Sequence, residues 1–224
     1  MKSLAIIPAR SGSKRIPNKN KRLFLGRPLI SWTIEAALKA RPLITDIVVT
    51  TDDNDILKLA TEYPLVKFYE RPANLAQDLT TSLDVILDVM NHYNTYDQII
   101  LLQPTSPLRS DADIKNAIEL CEKKGAAQLV SVRRCHEVPG HIVKEGPKGG
   151  LSLLLEAGSP QNRGQLWVLN GAMYVSNWDI FLDRKTFLTE YTIPFEMPEN
   201  VSIDIDIEED WLKAEKVAKE MQWK

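Results

Sequence analysis

Short, mostly apolar segments alternate along this chain with amphipathic segments of helical spacing, and few folds are compatible with that order. Residues 4–7 form a continuous apolar run, which is typical of a strand buried on both faces of a parallel sheet, and further short strands are predicted at residues 47–51, 66–68, 99–102 and 129–132. Apolar residues recur at helical spacing between them, at residues 28–38, 56–60, 83–90 and 111–123. This repeated order predicts an α/β fold with a doubly wound, mainly parallel, Rossmann-like sheet.

The alternation stops at residues 133–165, where nine Gly and Pro residues interrupt short apolar runs. It resumes with strands predicted at 167–175 and 203–207 and a last helix at 208–220. We therefore expect one domain over residues 1–224, with residues 133–165 forming a small inserted hairpin or lid.

Charge and hydropathy exclude several function classes. The net charge is −2, so the chain lacks the basic field that drives nucleic-acid binding. No apolar run approaches the ~20 residues that span a bilayer, and no secretory leader precedes the first strand. We expect a cytoplasmic protein with no membrane or nucleic-acid partner.

The loop after the first strand is strongly basic. Ligands of open α/β sheets collect at the carboxyl ends of strands, where this loop lies. Ser11 and Gly12 are small enough to let backbone N–H groups approach an anion. Neither a Walker P-loop nor a dinucleotide fingerprint occurs. The pattern favours a triphosphate site over a solvated basic turn. Its six cations, within residues 10–22, are Arg10, Lys14, Arg15, Lys19, Lys21 and Arg22.

The segment VSIDIDIEED indicates a metal site. In a strand, Asp204 and Asp206 would share one face and the isoleucines the other. Adjacent carboxylates repel unless a cation, a proton or water relieves the charge. Hard oxygens beside a triphosphate suit Mg²⁺, or Mn²⁺ in its place. The alternative is an exposed amphipathic strand without a ligand.

Five segments occur in one order, ARSGSKRIPNKN, RPANLAQDLTTS, LLQPTSPLR, NGAMY and SIDID. Together they resemble the motifs of the acylneuraminate cytidylyltransferases, also called CMP-sialic acid synthetases. The resemblance implies a nucleotidyltransferase fold and transfer of CMP from CTP to the anomeric hydroxyl of an acidic nine-carbon sugar, with release of pyrophosphate. It also implies a homodimer in which the insert of one subunit reaches the sugar site of the other.

The resemblance also implies a role for individual residues. Asp78 would support the nucleotide site, and Asp204 and Asp206 would bind the metal. The catalytic residues would be Arg10, Lys14, Lys19 and Asp206. The nucleotide contacts would be Arg10, Ser11, Gly12, Lys14, Lys19, Asn20, Arg71 and Ser82. The sugar contacts would be Gln103, Arg163, Asn170 and Gly171.

The chain departs from the family pattern near the sugar. The family commonly has Arg-Gln before NGA, where this chain has Pro160 and Gln161, and Arg163 is the candidate replacement. A lysine often found in the insert is replaced by His141. Both changes concern sugar recognition, so the substrate could be legionaminic acid or another relative rather than N-acetylneuraminic acid.

Three alternatives remain open at this point. The chain could be a 3-deoxy-manno-octulosonate cytidylyltransferase, a sugar-phosphate pyrophosphorylase, or a nucleotide-binding protein without catalysis, because fold alone does not guarantee chemistry. Arg109 is equally compatible with a role in the site and with a helix-entry or salt-bridge role.

Overall fold

A computed structural model describes residues 1–77, 80–136, 143–145, 151–153 and 165–223. The strands are β1 (Ser3–Pro8), β2 (Leu23–Phe24), β3 (Arg27–Pro28), β4 (Asp46–Thr51), β5 (Lys67–Glu70), β6 (Gln98–Leu102), β7 (Gln128–Arg134), β8 (Val143–Glu145), β9 (Leu151–Leu153), β10 (Trp167–Asn177) and β11 (Thr192–Glu196). The α-helices are α1 (Leu29–Lys39), α2 (Asn54–Lys58), α3 (Ser82–His92), α4 (Asp111–Lys124), α5 (Trp178–Arg184) and α6 (Glu208–Glu220).

Seven strands form the central sheet, in the order β11-β7-β10-β6-β1-β4-β5. Only β10 runs antiparallel to its neighbours β6 and β7 in this sheet, and the other pairs are parallel. One apolar cluster packs α1 and α4 against the sheet, and another packs α3 and α5. The predicted α/β class with a doubly wound, mainly parallel sheet is confirmed.

Local sequence explains where the helices near the sheet edge begin. The side chains of Thr81 and Asp84 bond each other's backbone N–H at the start of α3, and Ser110 and Asp113 do the same for α4. Gly125 ends α4 at φ 59°, a left-handed conformation that glycine adopts without steric cost. The loops that lead into α3 and α4 follow the carboxyl ends of β5 and β6.

The parallel register brings the site loops together. Pro8 at the end of β1 pairs with Thr50 in β4, and Ile6 pairs with Leu101 in β6. The loops that leave β1, β4 and β6 therefore emerge at one edge of the sheet.

The predicted strand at 203–207 is wrong, because these residues form an irregular segment that leads into α6. Ile205 N donates to the carbonyl of Thr105, which lies in a loop rather than in a strand. Burial still alternates: Ile203 and Ile205 are buried and Asp204 and Asp206 are exposed. The edge strand is instead β11, parallel to β7.

A third apolar cluster joins the two ends of the chain. Ile16 from the basic loop packs in it with Ile203, Ile205 and Trp211 from the C-terminal region. Within the predicted insert, β8 and β9 pair antiparallel. None of the helices in the described ranges is long and apolar enough to cross a membrane.

Candidate active site

The basic loop is anchored at its base by neighbouring strands. The backbone N and Oγ of Ser11 donate to the Asp52 carboxylate at 2.9 and 2.5 Å. Burial opposes the charge of Asp52, but the hydrogen bonds from Ser11 outweigh it and lower the pKa of this carboxyl. Asn20 Nδ2 donates to the carbonyl of Arg10 at 3.1 Å. These contacts fix the loop next to the ends of β1 and β4.

Two of the six cations hold the outside of the loop. Lys21 Nζ lies 3.1 Å from Asp53 and 2.9 Å from Asp55. Arg22 makes two hydrogen bonds of 2.6 Å to Glu208, and its guanidinium lies 4.2 Å from the ring centroid of Trp211. Lys21 and Arg22 therefore bind the loop to α2 and α6.

A polar cleft of about 580 Å³ opens at the sheet edge between this loop and the start of α3. Arg10, Lys14, Lys19 and Asp206 line it, and so do the predicted substrate contacts Asn20, Arg71, Ser82 and Gln103. A cleft of this size accommodates a nucleotide-sized ligand. Ser11 and Gly12 do not line it, and Ser11 serves instead as the anchor to Asp52.

The predicted metal ligand Asp206 directly meets the basic loop. Its carboxylate lies 3.3 Å from Lys19 Nζ and 3.2 Å from Arg15 Nη1. Lys19 Nζ also donates to the carbonyl of Ile205 at 2.6 Å. The Asp210 carboxylate accepts the backbone N–H groups of Asp206 and Ile207, both at 3.0 Å. Two segments about 190 residues apart thus form one charged wall.

Asp204 lies next to Gly171 and close to Gln103. Unlike Asp206 and Gln103, neither Asp204, Asn170 nor Gly171 lines the cleft. Asp204 is open to solvent on one side, but protein surrounds the rest, and this desolvation and the charge of Asp206 raise its pKa. A Cβ added at Gly171 would lie 2.9 Å from Asp204 Oδ2 and 3.4 Å from Gln103 Oε1. Gly171 also has φ +73°, where other residues are strained. The fold therefore requires glycine between Asp204 and Gln103.

The side chain of Asn170 is used inside the protein. Its Oδ1 accepts from Ser131 Oγ at 2.7 Å and from the backbone N of Ala172 at 3.2 Å. Its Nδ2 donates to Ser202 Oγ at 2.9 Å and to Met197 Sδ at 3.3 Å. Asn170 is 4% exposed, so it holds the Gly171 turn from behind. Direct contact of Asn170 with a sugar stays a prediction.

Comparison with known proteins agrees with this geometry. The family model described as cytidylyltransferase matches residues 4–144. A CMP-N,N'-diacetyllegionaminic acid synthase from Legionella pneumophila is 34% identical over 97% of this chain and 96% of that protein. The chain belongs to the cytidylyltransferase family.

Two further proteins are similar to this chain, one in sequence and one in structure. An N-acylneuraminate cytidylyltransferase from Escherichia coli is 35% identical over 92% of this chain. The aligned region is about half (49%) of the length of that relative. The solved structure of a CMP:2-keto-3-deoxy-manno-octonic acid synthetase complexed with CTP superposes with a TM-score of 0.74 at 17% identity, covering 99% of this chain and 100% of that one. This second likeness concerns the fold.

Several predicted residues of the cytidylyltransferase lie outside the described residues, namely Asp78, His141, Pro160, Gln161 and Arg163. Conversely, motif reasoning missed Asp52 and Asp210, which anchor the basic loop and the aspartate segment. Asp52 acts on distant backbone, so no local spacing marks it, whereas Asp210 lies four and three residues after its partners Asp206 and Ile207, a helix-start spacing that could have indicated it. Arg15 was counted only as part of the basic run, although it pairs with Asp206.

Proposed function

We propose that this protein transfers CMP from CTP to the anomeric hydroxyl of a nonulosonic acid and releases pyrophosphate. The observation that carries the proposal is that Arg10, Lys14 and Lys19 line one cleft with Asp206, Arg71 and Gln103. Cations that surround an anionic leaving group stabilise the charge that develops during phosphoryl transfer. The family assignment and the names of the relatives support the same reaction.

The charged side chains take distinct parts in this reaction. Arg10, Lys14 and Lys19 would bind the triphosphate and neutralise the departing pyrophosphate. Lys19 is held in place, because its stem is nearly buried and its Nζ already contacts Ile205 and Asp206. Gln103 and the Gly171 turn would hold the sugar so that its hydroxyl faces the α-phosphorus.

Asp204 and Asp206 fit a divalent cation. The raised pKa of Asp204 reflects desolvation and a neighbouring negative charge, and a cation would relieve the repulsion. Among the described residues, no group of three or more His, Cys, Asp or Glu side chains could hold a metal. Mg²⁺ commonly binds through one or two carboxylates plus substrate phosphates. Asp204 and Asp206 would provide the carboxylates and CTP the phosphates. Mg²⁺ or Mn²⁺ held there would lower the pKa of the attacking hydroxyl.

The nonulosonic acid is proposed to be legionaminic acid or N-acetylneuraminic acid. The relative that matches along nearly its whole length is named for a diacetyllegionaminic acid product, and others are named for N-acylneuraminate. The departures at Pro160 and His141 favour a relative of N-acetylneuraminic acid. We also propose that the protein is a cytoplasmic homodimer with the 133–165 insert at the subunit contact. Light scattering of the purified protein would test the dimer.

Pyrophosphate release from a substrate panel tests the reaction. The panel pairs CTP, UTP, ATP and GTP with N-acetylneuraminic acid, N,N'-diacetyllegionaminic acid, 3-deoxy-manno-octulosonate and hexose 1-phosphates, with and without EDTA. We expect release with CTP, a nonulosonic acid and Mg²⁺. Release with hexose 1-phosphates and with no nonulosonic acid would refute the proposal, and a preference for 3-deoxy-manno-octulosonate would redirect it.

A further inference from the structure

Arg109 is the most deeply buried charged residue of the described chain. It ends the loop after β6 and precedes α4, and its side chain is 1% exposed. Burial lowers the pKa of Arg109 to about 10, so the guanidinium is still charged at neutral pH. A buried charge is costly unless its contacts compensate for the loss of water. Its contacts therefore indicate what it stabilises.

The contacts of Arg109 join two separate segments. Its Nη1 donates to the carbonyl of Gln103 at 3.2 Å and to the carbonyl of Ala172 at 2.7 Å. In the part of the chain that the structure describes, its Nε and Nη2 have no hydrogen-bond partner and no carboxylate lies within ion-pair distance. A salt-bridge role is therefore not supported by the described residues. One nitrogen bridges two backbone segments instead.

The two bridged segments form the walls of a narrow gap beside Asp204, and of these two segments the Gln103 loop also lines the cleft. One carbonyl belongs to Gln103 itself, and the other belongs to the residue after Gly171. The gap between these walls is narrow, because a single added carbon at Gly171 would touch both Asp204 and Gln103. A small shift of either backbone would change this gap. A displacement of about 1 Å in a reacting group can cost a large factor in rate.

We propose that Arg109 is a positioning residue that holds the Gln103 loop and the Gly171 turn together through hydrogen bonds. It thereby sets the distance between Gln103 and Gly171 on the proposed sugar side of the cleft. The proposal rests on the proposed function, since it treats these walls as the site of the acidic sugar. Arg109 is not among the residues that line the cleft. It acts through the two carbonyl oxygens.

Arg71 provides a matched comparison on the other side of the cleft. It is also buried, with 5% exposure, and its Nη2 donates to the carbonyl of Thr50 at 3.0 Å. Unlike Arg109, it lines the cleft beside Ser82 and the basic loop. Loss of Arg71 should therefore affect CTP, and loss of Arg109 should affect the sugar.

The test measures both Michaelis constants in Arg109→Met, Arg109→Lys and Arg71→Met, together with CTP affinity by calorimetry and the melting temperature. The nonulosonic acid that the wild type uses best serves as acceptor. For Arg109→Met we expect the sugar KM to rise about tenfold, or about 1.4 kcal/mol, while the CTP dissociation constant stays within about twofold. Arg109→Lys keeps a donor that can reach one carbonyl, so a smaller rise in sugar KM is expected. Arg71→Met should show the opposite selectivity.

Two results would overturn the proposal. One is an unchanged sugar KM in a folded Arg109 variant, and the other is an equal rise in both Michaelis constants. If Arg109→Met does not fold, the same two criteria apply to Arg109→Lys. A wild type that is inactive with every nonulosonic acid would instead count against the proposed function. The two failures are thus distinguishable.

Discussion

The proposed nucleotide side of the cleft and its proposed sugar side are built in different ways. The nucleotide side carries long cationic side chains on an exposed loop, held by ion pairs such as Lys21–Asp55 and Arg22–Glu208. The sugar side is formed by the Gln103 loop and the Gly171 turn, held from behind by the buried Asn170 network. Asp204 and Asp206 lie where the two sides meet.

This difference indicates two modes of recognition. Long basic side chains can adjust to a triphosphate, and their attraction is weakened by salt. A backbone turn packed against a carboxylate cannot adjust without moving its neighbours. We therefore expect the nucleotide side to respond to changes of charge and the sugar side to changes of shape.

Asp206→Asn, at the junction, should have the largest effect. The amide is a poorer metal ligand, and we expect single-turnover CMP transfer at saturating Mg²⁺ to fall about 10³-fold, or several kcal/mol of barrier. Glu209→Gln removes a charge nearby in α6 and is the control, with a rate near that of the wild type. A near-normal rate for Asp206→Asn would show that the metal assignment is wrong.

Lys19→Met tests the nucleotide side. Removing one cation that faces the leaving group should lower kcat/KM for CTP about 100-fold, and the sugar KM should change much less. Lys21→Met is the matched control two residues away, because Lys21 pairs with Asp53 and Asp55 outside the cleft. Equal losses in the two variants would mean that only the general charge of the loop matters.

Gly171→Ala tests the sugar side. The added carbon would lie 2.9 Å from Asp204 Oδ2, so turnover should fall about tenfold while CTP affinity is retained. Gly26→Ala has a similar backbone strain, with φ +83°, but meets nothing within 4 Å. Steady-state kinetics should therefore be normal in Gly26→Ala despite a lower melting temperature. If both variants lose the same activity, strain rather than contact with Asp204 is the cause.

Asp52→Asn tests the anchor of the basic loop and should have the smallest effect. Loss of the charged acceptor for Ser11 should destabilise the protein by about 1 kcal/mol and lower the Tm by about 2–4 °C near pH 7. The pKa of Asp52 is lowered in the folded protein, so its contribution is present above the unfolded value of about 3.9 and disappears as pH falls below it. Melting curves of the two proteins should therefore converge in acid. A difference that grows in acid would contradict this sign.

The sequence predicted the central strands and the basic loop because both depend on local pattern. Buried parallel strands are continuous apolar runs, and clustered cations require counter-charge. The strand at 203–207 was wrong because an extended segment that covers the third core cluster also buries alternate residues. The edge strand β11 was missed because it contains Pro194 and is only partly buried.

The supports of the site could not be predicted from sequence. Arginine is mostly exposed in proteins, so nothing in LLQPTSPLR indicates that Arg109 is buried against two carbonyls. The contact of Asp52 with Ser11 depends on how the chain returns to the same sheet edge. Likewise, the sequence NGAMY is typical of a surface turn, but in the structure Asn170 is buried between Ser131 and Ser202 and forms hydrogen bonds with both.

We propose that the basic loop and the aspartate segment form one site for CTP and its metal. Calorimetric titration of CTP in the presence of Mg²⁺ or of EDTA, for the wild type and for Asp206→Asn, measures whether the two segments act together. We predict that Mg²⁺ tightens CTP binding to the wild type only. In EDTA the variant should bind CTP at least as tightly as the wild type, because Lys19 and Arg15 are released from Asp206. An undiminished Mg²⁺ effect in Asp206→Asn would contradict the account.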